Sequence, residues 1–439
     1  MKYQSTRGKS PAVSLSQAIA GGIAPDGGLY IADSWPVLDL DAAPGSADLA
    51  SLGAWLLQPF FAGDALQSEL RSIAAEAFSF PAPVTALEGA AGTAFVLELF
   101  HGPTAAFKDF GARFLAACMV RQRTQTERKP DSKLTILVAT SGDTGGAAAA
   151  AFHGRPGIEV VVLFPRGLVS KRQQQQLTCW GGNVRALVVR GTFDDCQRLV
   201  KEAFRDPELA GTHELSSANS INIGRLLPQV VYYAAASMEV RRRHGSPASF
   251  IVPAGNLGNS LACVWARRLG FPIGDIVLAH NANRTVPDFL ATGEYRPRPS
   301  IATLASAMDV GDPSNAERLR TFEPDWLKLR RGLSAHSVSD EEIRAQIRGD
   351  FGRYGRIWCP HTATAARVYD LLAETDRRVK AWVLVATAHP AKFNDIVEPL
   401  IGRTVDVPPA LARLLSLPSR STEVGAELTE LRTLLMQGE

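Results

Sequence analysis

The sequence predicts an α/β protein with mainly parallel sheets flanked by helices, preceded by a mostly helical N-terminal region. Three observations carry this. Short β-branched runs recur from Thr93 to Ala386, each ending in a Gly-rich turn or leading into a helix-prone stretch. The runs are apolar throughout rather than alternating, as strands covered on both faces should be. Strand-like and helix-like segments alternate, which is the pattern of parallel βαβ units.

Residues 1–90 lack that alternation. Helix-like segments at Leu49–Phe61 and Leu66–Phe78 sit among loops, and they predict a separate N-terminal domain. Thr93–Phe100 reads as a core strand, followed by the turn HGPT and by FGARFLAACMV, whose apolar positions have helical spacing. Leu134–Ala139 is the clearest strand, running into TSGDTGG and the helix-prone AAAAAFHG. Ile158–Phe164 is ended by Pro165. Val184–Val189 leads through Gly191 to a helical stretch from Phe193 to Phe204. Ser249–Val252 precedes PAGNLGN and the helix SLACVWARRLG, and Asp275–Ala279 and Ala381–Ala386 complete the set. Residues 285–345 carry Pro287, Pro297, Pro299, Pro313 and Pro324, and read as a loop-rich insertion.

The chain has 439 residues, more than one core usually holds. The expected division is 1–90, a smaller α/β lobe over 91–225 with Lys108 and the SGDTGG loop, and a larger α/β domain over 226–439 containing the insertion. With 47 basic against 44 acidic residues, the charge is too balanced to suggest nucleic acid or a membrane surface as partner. The N-terminus has no apolar signal segment, and no run is long enough to span a bilayer, so a cytoplasmic protein is expected. The five scattered cysteines form no CxxC pair and are expected to be buried thiols. No metal site is expected, because the eight histidines are dispersed and no HExxH occurs. The sequence leaves open whether the chain is a monomer or a homodimer.

Four clusters carry chemistry. Lys108, in HGPTAAFKD, falls between a core strand and an amphipathic helix. Partial desolvation and the helix N-terminus would both lower its pKa and make it nucleophilic. The alternative is a surface lysine paired with Asp109. Two Gly-rich loops, SGDTGG at 141–146 and PAGNLGN at 253–259, place backbone N–H groups at helix starts, where anions bind. Neither has the glycine spacing of a dinucleotide or nucleoside-triphosphate loop, and each alone could be a tight turn. In SSANSINIGRLLPQ at 216–229, Arg225 can clamp a phosphate or carboxylate, or lie on a solvated face while Ser220 or Asn222 caps a helix. ATAHPAKF at 386–393 follows a strand, which puts Thr387 at the carboxyl end where open α/β sheets bind ligands. His389 and His361 are read as structural.

Together and in this order, these clusters resemble threonine synthase, in the longer form with an N-terminal extension. MKYQSTRG, GIAPDGGLY, LFHGPTAAFKDFGARF and SAMDVGDPSNAERL extend the similarity over nearly the whole chain. The resemblance implies a fold-type II pyridoxal 5'-phosphate enzyme that converts O-phospho-L-homoserine and water into L-threonine and phosphate. It implies that Lys108 is the Schiff-base lysine and that Gly255, Asn256, Leu257, Gly258 and Asn259 cradle the cofactor phosphate. Thr387 would face the pyridine nitrogen. Thr140, Ser141, Gly142, Asp143 and Thr144 would hold the substrate carboxylate. Arg225 and Asn222, with Ser170, would meet the substrate phosphate. The 226–439 segment would be the cofactor-binding domain, and the smaller lobe would close onto it. The sequence departs from the family pattern at Ala254, Leu257 and Ala105, where larger or different side chains are expected. Another fold-type II lyase, such as a serine or threonine dehydratase, and a non-catalytic cofactor-binding relative are the alternatives.

Overall fold

Thirteen strands are found among the described residues of the computed structural model, which are 1–45, 48–90, 92–125 and 134–436. Near the N-terminus, β1 (Tyr3–Ser5) and β2 (Tyr30–Ala32) pair antiparallel as a small ribbon. β3 (Val84–Ala86) and β4 (Ala94–Glu98) follow the helices Leu49–Leu57 and Leu70–Ala77. Then come β5 (Leu134–Ala139), β6 (Ile158–Pro165), β7 (Val184–Val189) and β8 (Glu214–Ser217). The rest are β9 (Ala248–Pro253), β10 (Ile273–His280), β11 (Leu333–Ser337), β12 (Ala381–Ala386) and β13 (Thr422–Val424).

A six-stranded sheet has the order β11-β10-β9-β12-β4-β3, parallel except for the edge pair β3–β4. A five-stranded, wholly parallel sheet has the order β13-β7-β6-β5-β8. The central strands β5, β9 and β12 are buried at every position, which is why they read as unbroken apolar runs.

Two strands cross the expected segment boundaries. β4 lies in the 91–225 segment but pairs with β12 in the six-stranded sheet. β13, near the C-terminus, pairs with β7 in the other. The loop-rich segment 285–345 is also more than an insertion, because it supplies β11 and the helices Thr285–Thr292 and Asn315–Phe322. β11 escaped the sequence reading because it is an edge strand in which Leu333 alone is buried, so no apolar run marks it.

The N-terminal region is anchored to the helix Gly258–Arg268 by Trp35, whose ring lies 5.0 Å from that of the buried Trp265. Phe60 and Phe322 approach Trp35 edge-on at 5.9 and 5.1 Å. Such aromatic contacts add about 0.5–1.5 kcal/mol each beyond the area they bury. All five cysteines are buried and free, as expected. Among the described residues, no helix is long and apolar enough to cross a membrane.

Candidate active site

The segments singled out in the sequence leave the carboxyl ends of strands from both sheets and converge on one cleft of about 1130 Å³. Lys108 and Thr387 line it, with all five residues from Gly255 to Asn259. Thr140, Ser141, Asp143, Thr144 and Arg225 line it too.

Lys108 opens the helix Lys108–Gln125, and the turn that precedes it is tied to the end of β12. Phe107 donates its N–H to the carbonyl of Thr387 at 2.8 Å, and His389 donates to the carbonyl of Ala105 at 3.0 Å. The alternative pairing with Asp109 does not occur. Asp109 instead accepts from the N–H and hydroxyl of Thr104, at 2.9 and 2.6 Å, and burial raises its pKa. The Lys108 amine reaches the cleft but is otherwise enclosed by protein. Desolvation lowers its pKa to about 8, Asp143 opposes this, and Arg225 and Lys392 reinforce it. Gly111 makes the close approach possible, because a Cβ there would lie 2.5 Å from the carbonyl oxygen of Arg225.

The cradle at 255–259 leads into the helix Gly258–Arg268 through Leu257, which is left-handed at φ 61°. The N–H groups of Gly258, Asn259 and Ser260 form the first turn, where a helix provides no acceptor of its own. Asn256 is clamped: it donates to Ser220 Oγ at 2.6 Å, and its side-chain oxygen accepts from the N–H of Ser314 at 2.6 Å. Among the described residues, Leu257 and Ala105 alone are left-handed without being glycine, and both are positions of departure from the family pattern.

The loop after β5 is built on Thr140, whose hydroxyl accepts from the N–H groups of Gly142 and Gly145, both at 2.9 Å. Gly142 has φ 131° and faces Gln173 rather than the cleft. Asp143 is buried against Lys392, 2.8 Å away, and accepts from Gln173 at 2.9 Å. Its pKa is driven well below the carboxylate range; burial opposes this, and the charges of Lys392 and Lys108 overcome it.

Besides Gly142, two expected site residues are not cleft walls. Asn222 caps the helix Ile223–Leu226, accepting from Gly224 at 3.0 Å, and donates to the carbonyls of Ile19 and Ser217. Ser170 caps the helix Lys171–Thr178 and donates to the carbonyl of Lys392 at 2.8 Å. In both, the side chain is used up by capping. Arg225 does line the cleft. Its guanidinium donates to the carbonyl of Ala218, and burial lowers its pKa to about 10.

Lys392, Gln173, Gln176 and Arg318 also belong to the buried polar framework, and no sequence pattern marks them. Lys392 lies in ATAHPAKF and Arg318 in SAMDVGDPSNAERL, and only their partners reveal them. Arg318 is wholly buried and donates to the carbonyls of Tyr30, Ser220 and Ile221 and to Asn315 Oδ1. It thereby joins the N-terminal ribbon to the cradle. His361 and His389 accept backbone N–H groups from Ala307 and Ala391, and burial holds both near pKa 4, as neutral structural rings.

Comparison with known proteins now decides the family. Residues 80–388 match the pyridoxal-phosphate dependent enzyme family, residues 2–78 the threonine synthase N terminus and residues 362–435 the threonine synthase C-terminal region. Threonine synthase of Escherichia coli (strain K12) is 38% identical over 438 residues, 99% of each chain. The chain belongs to the threonine synthase family. The crystal structure of threonine synthase from Escherichia coli superposes with a TM-score of 0.88 at 37% identity, covering 100% of both chains. The crystal structure of pyridoxal-phosphate-bound threonine synthase from Brucella melitensis gives 0.87 at 34% identity, covering 100% of this chain and 99% of that one. The fold-type II α/β architecture expected from the sequence is therefore the one observed.

The residues present fit the cofactor of a threonine synthase. Ser260 Oγ and Asn259 Nδ2, at the cradle, and Arg225 Nε, on another lining residue of the cleft, are buried without a protein partner. Buried donors are rarely left so, and a phosphate would satisfy groups of this kind. A Cβ on Gly255 would lie 2.7 Å from Met308 Cα, so the cradle backbone is packed as closely as glycine allows.

Proposed function

We propose that this chain converts O-phospho-L-homoserine and water into L-threonine and phosphate. The observation that supports this best is the gathering of the Lys108 amine, an amide cradle at 255–260 and the Arg225 guanidinium in one cleft. Pyridoxal phosphate, held by Lys108, the 255–260 amides and Thr387, supplies an electron sink for charge developing at the substrate's Cα.

The protein's own part is to bind, orient and move protons. With a pKa of about 8, the Lys108 amine has a neutral fraction near physiological pH, so it can take the Cα proton and then one Cβ proton as the γ-phosphate leaves, and return protons at Cγ and, once water has added at Cβ, at Cα. Thr140, Ser141 and Thr144 orient the substrate carboxylate with Asp143 neutralised behind them. Arg225 binds the substrate phosphate, and retaining the expelled phosphate there helps deliver the water to Cβ. Closure of the five-stranded sheet's lobe excludes water until that step.

The assay is phosphate and threonine release from O-phospho-L-homoserine, run beside ammonia release from threonine. Phosphate with threonine supports the reading, and ammonia alone makes the chain a dehydratase. Arg225→Ala tests the phosphate role: a fall in kcat is expected, and a change confined to KM removes the retained-phosphate step.

A further inference from the structure

Lys392 and Asp143 form an ion pair 2.8 Å apart, with side-chain exposures of 0% and 4%. They come from different sheets, Asp143 from the helix that follows β5 and Lys392 from the turn that follows β12. The Lys392 ammonium also donates to the carbonyl of Thr104 at 2.7 Å, and Gln176 donates to that same carbonyl at 3.0 Å. Thr104 lies in the turn that presents Lys108, and its other groups are taken by Asp109. The turn that carries Lys392 is held from outside by Ser170 and by Arg172, which donates to the carbonyl of Ala391 at 2.6 Å.

We propose that Lys392 is a positioning residue for the reaction: its ammonium cancels the charge of Asp143 beside the substrate-carboxylate loop and, through the carbonyl of Thr104, fixes the turn that presents Lys108. The inference rests on the threonine synthase reading.

The physical need is specific. An unpaired carboxylate at Asp143 would repel the substrate carboxylate that the same loop is to bind. It would also draw Lys108 into an ion pair and keep its amine charged. The charged and titratable groups around that amine are Asp143, Arg225 from the helix Ile223–Leu226, Lys392 from the turn Pro390–Phe393, and His361 from the helix Pro360–Leu371. Asp143 alone among them favours the charged amine, while Arg225 and Lys392 disfavour it. Cancelling Asp143 therefore lets the burial of Lys108 dominate. A buried pair is retained at a desolvation cost that an apolar pair would avoid, so a role beyond stability accounts for its place here.

The test uses the holoenzyme and the variants Lys392→Met, Asp143→Asn and the double variant. The readouts are the pH midpoint of the bound cofactor's visible absorption band and KM for O-phospho-L-homoserine. Lys392→Met should raise the midpoint by about one unit or more, because Asp143 is left unpaired near the amine. It should raise KM at least about tenfold, for the like-charge reason. Asp143→Asn should lower the midpoint, and the double variant, in which the site is again neutral, should return it to the wild-type value. A merely structural loss would not reverse on removing the second partner. An unmoved midpoint in Lys392→Met, or a double variant that keeps the shift, overturns the proposal. Where Lys392→Met does not fold, Asp143→Asn decides, and no fall in the midpoint overturns it. Wild type without the band removes the threonine synthase reading and this inference with it. Wild type with the band and phosphate release, but unshifted variants, removes this inference alone.

Discussion

Phe107 and Thr387 share one backbone hydrogen bond, N–H to carbonyl at 2.8 Å, although 280 positions separate them in the chain. It ties the lysine turn to the end of β12. The Thr387 backbone is fully engaged, its own N–H donating to Thr362 Oγ1 at 3.3 Å. Its hydroxyl can thus be removed without disturbing the fold. Thr387→Val should keep the denaturation midpoint and weaken pyridoxal phosphate binding by about 1 kcal/mol, roughly fivefold, the net worth of one hydrogen bond. A cofactor titration of the apoprotein measures this, and an unchanged Kd would take Thr387 out of the cofactor site.

Burying the Lys108 amine has a cost that depends on pH. The folded pKa is about 8 against 10.5 for the free side chain, so the folded state gives up its proton first. Lys108 therefore destabilises the apoprotein most below pH 8, and the penalty fades as pH rises from 8 to 10.5. Its ceiling is about 3 kcal/mol, less what the amine recovers from cleft water. Lys108→Met apoprotein should accordingly be more stable than wild type in urea at pH 7, with the gap closing by pH 10.5. A gap that stays constant with pH would contradict the desolvation account.

Two glycines of the cradle separate packing from binding. At Gly255 an added Cβ meets Met308 Cα at 2.7 Å and the Ala307 carbonyl oxygen at 3.2 Å, both backbone atoms that cannot swing away. At Gly258 the nearest atoms are side-chain carbons of Leu226 and Ser220 at 3.5 Å, an ordinary contact. Gly255→Ala should therefore destabilise the apoprotein by about 1–3 kcal/mol. Gly258→Ala, at a helix start, should leave stability within about 1 kcal/mol. If the cradle holds the phosphate, Gly258→Ala should still lose at least about tenfold in cofactor affinity, because the methyl group occupies the phosphate's space. Normal affinity in Gly258→Ala would place the phosphate elsewhere.

What was legible in the sequence follows from where the information lies. Leu134–Ala139 and Ala381–Ala386 were read to the residue, since central parallel strands are apolar at every position. β8, β11 and β13 are edge strands with polar residues, defined by their neighbours rather than by their own composition. Lys108 was visible because its flanks are a strand and an amphipathic helix. Lys392 was not, because a lysine is recognised as buried only once Asp143, 249 positions earlier in the chain, is brought against it. Asn222 and Ser170 misled for a chemical reason: the short polar side chains that bind anions are the same ones that cap helices. Among the charges, Arg225 was legible and Arg318 was not. Three of Arg318's four partners are backbone carbonyls, and these leave no trace in side-chain composition.

That arrangement makes Arg318 the most exacting of the buried charges. Its Nε donates to the Tyr30 carbonyl at 2.9 Å, and its two terminal nitrogens reach the carbonyls of Ser220 and Ile221 and the side-chain oxygen of Asn315 at 3.2, 2.5 and 2.6 Å. No carboxylate is among these hydrogen-bond partners, so its charge is solvated by three backbone carbonyls and one side-chain amide, and burial lowers its pKa to about 9 against the opposing charge of Glu317. Arg318→Met fills similar space but takes a donor from four buried acceptors, of which the Ser220 carbonyl keeps Asn315 Nδ2 at 3.3 Å, and each one left unsatisfied costs about 1–3 kcal/mol. A loss of at least about 3 kcal/mol in denaturant-derived stability is expected. Arg318→Lys should recover little, since one ammonium cannot reproduce a planar fork aimed in three directions. Cofactor affinity should fall as well, because Ser220 carries the hydroxyl that receives Asn256 of the cradle at 2.6 Å. A lysine variant as stable as wild type would show that charge alone, rather than the fork geometry, holds the N-terminal ribbon onto the loop at 255–259.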